Sequence, residues 1–136
     1  MQNPIVEKSH REIKEEAEIF YKKIGSVWCP ALNYSVRFDE IGFTHLQRKG
    51  RKFRAKNEQK RRFALLPSVE NILISRPFSS YEERIIGSSH VQYWKFMDRR
   101  DANVIKVVVR QVNNGPKHFL SVYSRKQKPA PESADL

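Results

Sequence analysis

HVQYWKFMDRRDANVIKVVVRQVNNGPKHFLSVYSRK, from His90 to Lys126, decides the fold. Three runs rich in Val, Ile, Tyr, Phe and Trp are separated by two turn-like stretches, RRDA and NNGP, which is the pattern of an antiparallel meander. Asn114-Gly115 is the strongest hairpin signal, because a tight two-residue turn needs residues that tolerate positive φ. With that pair at the tip, Val112 faces Lys117. The register then runs Arg110 with Phe119, Val109 with Leu120, Val108 with Ser121, Val107 with Val122 and Lys106 with Tyr123.

Side chains alternate across a strand, so this register makes two faces. Ile105, Val107, Val109, Leu120 and Val122 form a core face, with His118 on its side near the turn. Lys106, Val108, Arg110, Phe119, Ser121 and Tyr123 form the other. A loop centred on Arg100-Asp101 sets Lys95 opposite Lys106 and sends Trp94 and Phe96 to the core, leaving Tyr93 and Lys95 with the basic face. A loop of odd length inverts that strand, since a one-residue slip flips every side chain.

Working outward, Asn3-Pro4 predicts a helix start, and Val6, His10, Ile13, Ala17, Phe20 and Ile24 recur at helical spacing until Gly25. Residues 1–25 therefore read as an N-terminal amphipathic helix whose charges balance; His10 reads as a packed or half-exposed histidine. Trp28-Cys29-Pro30 reads as a linker packed on the core, and Asn33 to Phe38 as a short strand. Asp39 resembles the N-cap of a short helix holding Phe43, His45 and Leu46. A further helix from about Asn57 carries Phe63, Leu66, Val69, Ile72 and Leu73; Pro67 breaks or restarts it, and Arg76-Pro77 ends it. Phe78 to Ser89 reads as a loop or short strand, and residues 125–136 as a disordered tail. The fold class expected is α+β: helices packed on one face of a C-terminal antiparallel meander, the opposite face open and basic.

The 136 residues suit one domain, here 26–124. They carry 26 Lys and Arg against 15 Asp and Glu, a net charge of +11. That excess points to polyanions, nucleic acid before an anionic membrane. One cysteine, Cys29, excludes an internal disulfide and fits a reducing, cytoplasmic setting. No apolar run is long enough for a membrane span. Arg48 to Arg62 is the densest run, nine Lys/Arg against Glu58 alone, without the aromatics that base stacking needs. Phosphate contact is the better reading for Arg48, Lys49, Arg51, Lys52, Arg54, Arg61 and Arg62.

No motif for a nucleotide cofactor or zinc is present, so no cofactor and no metal are expected. Histidines, cations and hydroxyls remain, and these suffice to cleave RNA. The substrate's 2′-OH is the nucleophile, a histidine moves the proton, and fixed cations stabilise the phosphorane. The same residues equally suit a non-catalytic RNA- or DNA-binding module.

SVRFDEIGFTHL, RRFALLPSVENILISRP, YWKFMD, VIKVVVRQV and HFLSVYSRK, from Tyr34 to Lys126, together resemble the phage-associated branch of the barnase–EndoU–colicin–RelE ribonuclease superfamily. The resemblance implies a toxin or effector that cuts RNA without metal. It assigns His45, Lys106, Arg110, Ser121 and Tyr123 to catalysis. From the residues themselves, Lys95 on the basic face and His118 are expected beside the substrate, and His118 competes with His45. RNA is the expected partner. A cognate antitoxin or immunity protein is left open, and no membrane is expected.

Overall fold

The computed structural model describes residues 8–126. Helix α1 (His10–Ile24) is followed by strands β1 (Ser26–Cys29) and β2 (Tyr34–Arg37), helix α2 (Glu40–Gln47), and the small hairpin β3 (Arg48–Lys49) and β4 (Lys52–Phe53). Helix α3 (Lys56–Ser75) then leads into β5 (Phe78–Ile86), β6 (Ser89–Arg100), β7 (Asn103–Val112) and β8 (His118–Lys126). The fold is α+β, with a six-stranded sheet in the order β1-β2-β8-β7-β6-β5. All its pairs are antiparallel except β2 with β8, which meet in parallel through Arg37 and His118.

α1 begins later than expected. The Ser9 hydroxyl, not Asn3, caps it, accepting from the Glu12 amide at 3.2 Å; Asn3, Pro4 and Val6 lie outside the described residues. Its inward stripe is Ile13, Ala17, Tyr21 and Ile24, while Phe20 is exposed. Gly25 closes it at φ 66°, a conformation that costs glycine nothing. The supposed linker is strand β1: Cys29 is fully buried but Trp28 is not. Asp39 caps α2 as expected, its carboxylate accepting from the Ile41 amide.

α3 runs unbroken through Pro67. Proline removes one backbone hydrogen bond, yet Leu66, Val69, Ile72 and Leu73 on either side are almost wholly buried. Each such side chain is worth about 1.5–3 kcal/mol of burial, enough to hold the helix across the gap. Of the two readings for Phe78–Ser89, loop or short strand, the strand forms: it is the nine-residue edge strand β5, turned back by Gly87 at φ 63° and Ser88. β8 extends to Lys126, two residues into the stretch expected as tail; the remainder of 125–136 lies outside the described residues.

The meander forms with two changes of register. The β6–β7 turn is Asp101-Ala102, with Asp101 at φ 48°. This shifts the pairing by two residues, so Trp94 and Phe96 keep the core face and Tyr93 and Lys95 the other. The expected Lys95–Lys106 opposition does not form: Lys95 faces Val108 and Lys106 faces Met97. The β7–β8 loop spans residues 113–117, with positive φ at Asn113 rather than at Asn114-Gly115.

The second change is a bulge. Val108 faces Ser121 but Val109 faces Phe119, leaving Leu120 as the extra residue. Everything before it flips. Phe119, expected on the open face, is fully buried and stacks on Phe38 at 5.0 Å. His118, expected on the core side, joins Arg110 on the other face. Strict alternation would have left a phenylalanine in water, and the bulge recovers its burial.

α3 packs on β8, β1, β6 and β7, and α2 packs on the start of β8. A Cβ at Gly42 would collide with the Phe119 carbonyl oxygen and the Tyr21 hydroxyl, so only glycine lets α2 lie this close to the sheet. That approach carries His45 to the edge of β8. No helix among the described residues is long and apolar enough to cross a membrane.

Candidate functional site

β8 meets β2 through a single residue pair, which leaves most of its outer edge without a partner strand. α2, the β3–β4 hairpin and the first turns of α3 bring side chains over that edge. Arg62 Nη1 donates to Ser121 Oγ at 2.8 Å and reaches the Val122 carbonyl at 3.4 Å. Arg54 Nε donates to the His45 carbonyl at 3.0 Å. Glu58, one helical turn from Arg62, joins the two arginines: its Oε1 lies 3.1 Å from Arg62 Nη2 and 3.5 Å from Arg54 Nη1. The Arg54 and Arg62 side chains are only 7% and 12% exposed, so these are pinned guanidiniums rather than solvated ones.

Together with the open face of β5–β8 these groups enclose a cleft of about 430 Å³. His45, Arg54, Arg62, Arg110, Ser121, Tyr123, Tyr93 and Lys95 line it, with Lys49, Arg84 and Arg125 at the rim and Glu82 as its only carboxylate. Arginine cannot be deprotonated at any ordinary pH, so the cleft holds fixed positive charge.

His45 is half-buried. Burial, and then the charges of Arg54, Arg62 and Arg110, lower its pKa from 6.5 to about 4. It is therefore neutral at pH 7. Arg54 Nη2 lies 3.5 Å from its Nδ1. A guanidinium only donates, so the ring proton belongs on Nε2.

His118 sits beneath Arg110, 4% exposed. Arg110 Nε donates to its Nε2 at 3.0 Å, which leaves the proton on Nδ1. Nδ1 points at Asp39 Oδ1 across 3.5 Å, too far for a good hydrogen bond, and has no other partner. Burial and then Arg110 lower the His118 pKa; Asp39 opposes them without cancelling them. His118 thus holds Arg110 from behind, while Asp39 faces its other ring nitrogen without bonding to it.

The cleft thus brings together four of the five residues assigned to catalysis: His45, Arg110, Ser121 and Tyr123. Lys106 is left out, facing Met97 and Tyr123 two residues beyond Val108. Ser121 is buried and committed to Arg62, so it positions a cation and is not a free hydroxyl. Of the residues read as phosphate contacts, Lys49, Arg54 and Arg62 line the cleft, and so does Lys95, expected beside the substrate. Arg48 instead stacks over Phe53, Arg51 and Lys52 are exposed on the hairpin, and Arg61 faces a separate hollow beside Glu58 and Arg125.

Asp39, Glu58 and Tyr93 were not singled out for the site. Glu58 had a legible signal: it is the sole acid in the basic run and stands four residues from both Arg54 and Arg62. Outside the cleft, His10 is a packing histidine, 3.1 Å from Gln59 and edging Phe63. No cluster of three His, Cys, Asp or Glu side chains that could hold a metal occurs among the described residues. Comparison with known proteins gives no match to a family model, a curated protein or a solved structure.

Proposed function

We propose that the protein is a metal-independent endoribonuclease of toxin or effector type, its site the cleft between α2, α3 and the open face of β5–β8. The convergence of Arg54, Arg62 and Arg110 around His45 carries this reading. Three guanidiniums lining one cleft supply fixed positive charge for a phosphodiester, the anion that arginine suits best. His45 is neutral, the form that accepts a proton. The 3.5 Å contact from Arg54 is weak enough to be given up when the ring turns toward a 2′-OH.

Once RNA is bound, its negative charge offsets the arginines and raises the pKa of His45, making it a better base at the moment of use. His45 takes the 2′-OH proton as the 2′ oxygen bonds its own phosphorus, the P–O5′ bond breaks, the 5′ oxygen takes a proton from water, and a 2′,3′-cyclic phosphate remains. Arg62, held by Ser121 and Glu58, and Arg110, held by His118, need no reorganisation as charge builds on the phosphorane. Tyr123 and Tyr93 offer rings to the adjoining nucleotides.

A non-catalytic RNA- or DNA-binding module is the second reading. It is favoured by one observation, the Arg54 guanidinium facing the nitrogen that a base would use. Incubation with RNA in EDTA separates the two. The nuclease reading requires fragments with 2′,3′-cyclic phosphate ends, and RNA that is bound but intact supports the binding module.

A further inference from the structure

One row of side chains crosses the whole sheet on the cleft's face. By register it runs Ser26, Arg37, His118, Arg110, Tyr93, Glu82, one residue from each of the six strands. The cleft occupies its β8–β5 half. On the β1–β2 half, Trp28 lies two residues along from Ser26 on the same face of β1. It is 54% exposed, whereas the other tryptophan, Trp94, is buried. Among the described residues Trp28 enters no aromatic pair and no cation–π contact.

Trp28, Tyr34, Arg37, Asn33 and Asn114 line a groove of about 560 Å³ with no carboxylate in its lining. Lys117 lies outside this lining: its Nζ stands 4.1 Å above the Tyr34 ring and 5.3 Å above the Trp94 ring, on the core side of the sheet. Arg37 and Arg110 flank His118 on neighbouring strands, so adjacent strands about 4.8 Å apart put roughly 10 Å between the two positions.

We infer that this groove is a stacking subsite for an unpaired base of single-stranded RNA, with Arg37 taking the phosphate between it and the cleft. The inference rests on the ribonuclease reading and extends it to the kind of RNA used. A bare indole beside a guanidinium and two amides, with no acidic side chain among the described residues of the lining, matches a base and its phosphate. A duplex keeps its bases stacked on one another and could not present one to Trp28.

The experiment uses the full chain and RNA methylated at every 2′-OH, which binds but cannot be cut: a hexamer, a dinucleotide, and a duplex of the hexamer sequence. The hexamer should quench the tryptophan emission. Trp28→Ala should weaken hexamer binding by about 5- to 150-fold, one stacked base, without a matching loss for the dinucleotide. Trp28→Tyr should keep most of the affinity. Hexamer affinity unchanged in Trp28→Ala overturns the subsite alone, provided that the wild type still cuts unmethylated RNA. A wild type that binds neither oligonucleotide and cuts nothing overturns the ribonuclease reading with it. Equal quenching by the duplex, or an emission change on concentrating the protein by itself, also overturns the subsite, the latter by assigning the groove to a second copy of the chain.

Discussion

His45 and His118 sit under similar pressures at the two ends of one arginine cluster, and the proposed reaction gives them different work. Both are neutral at pH 7 because burial and neighbouring guanidiniums disfavour the imidazolium. His118 is enclosed between Asp39 and Arg110 and can touch nothing that enters the cleft. His45 borders the cleft and has only a 3.5 Å contact from Arg54 to leave. A lowered pKa alone would not separate them; access does. On this account one histidine moves a proton and the other holds a cation in place.

The sharpest way to break that comparison is to remove each ring in turn. His45→Ala should fold, since Arg54 uses the main-chain carbonyl of residue 45, and should lose about 10²- to 10⁴-fold in RNA cleavage. Wild-type rates in the folded variant would reverse the two roles. Arg62→Lys keeps the charge but cannot reach Ser121, the Val122 carbonyl and Glu58 together. Its kcat should fall by about 10²- to 10³-fold with a smaller change in KM; a change in KM alone would make Arg62 a binding residue only.

His118→Asn should cost less, at most about 10²-fold, through a misplaced Arg110. The acid limb of its pH–rate profile should stay where the wild type has it, because the titrating base is untouched. A displaced limb would mean that His118 is the base.

The smallest effect separates the pair by pH. Both histidines bind a proton more readily in the unfolded chain, whose pKa is 6.5, than in the folded one. Their contribution to stability is therefore complete above about pH 6.5 and is lost as pH falls below it, in the case of His45 through about 4. The melting temperature should decline over that window, and inorganic phosphate should reduce the decline by supplying charge to the cleft. His118→Asn should flatten the decline without abolishing the phosphate effect; an effect lost with His118 would place the anion elsewhere. In the kinetics, kcat/KM should rise with pH through about 4, and the limb of kcat should lie higher, because bound RNA raises the pKa of His45.

The sequence carried the sheet's faces further than its register. Trp94, Phe96, Tyr93 and Lys95 fell on the correct sides because the β6–β7 turn moved the pairing by two, which preserves parity. The Lys95–Lys106 opposition failed for the same reason: it needed the register itself. The β8 bulge was not legible, because His118-Phe119-Leu120 places two apolar residues side by side and alternation cannot say which turns inward. Phe119 wins by its fit against Phe38, a contact between segments far apart in sequence. That one choice also moved His118 from the core side to Arg110. The basic run announced phosphate contact but could not say which of its nine cations are pinned. Only the rotation of α3 against β8 decides that Arg62 meets Ser121 while Arg61 faces away.

The central claim is that the substrate's own 2′-OH is the nucleophile and that fixed arginines, without metal, hold the phosphate. The most direct test is a DNA oligonucleotide with a single ribonucleotide in its middle, incubated with the protein in EDTA. The account predicts one cut, on the 3′ side of the ribonucleotide, leaving a 2′,3′-cyclic phosphate, with the all-DNA control intact. Cleavage of the all-DNA control, or no cleavage of a mixed strand that the protein demonstrably binds, would contradict it.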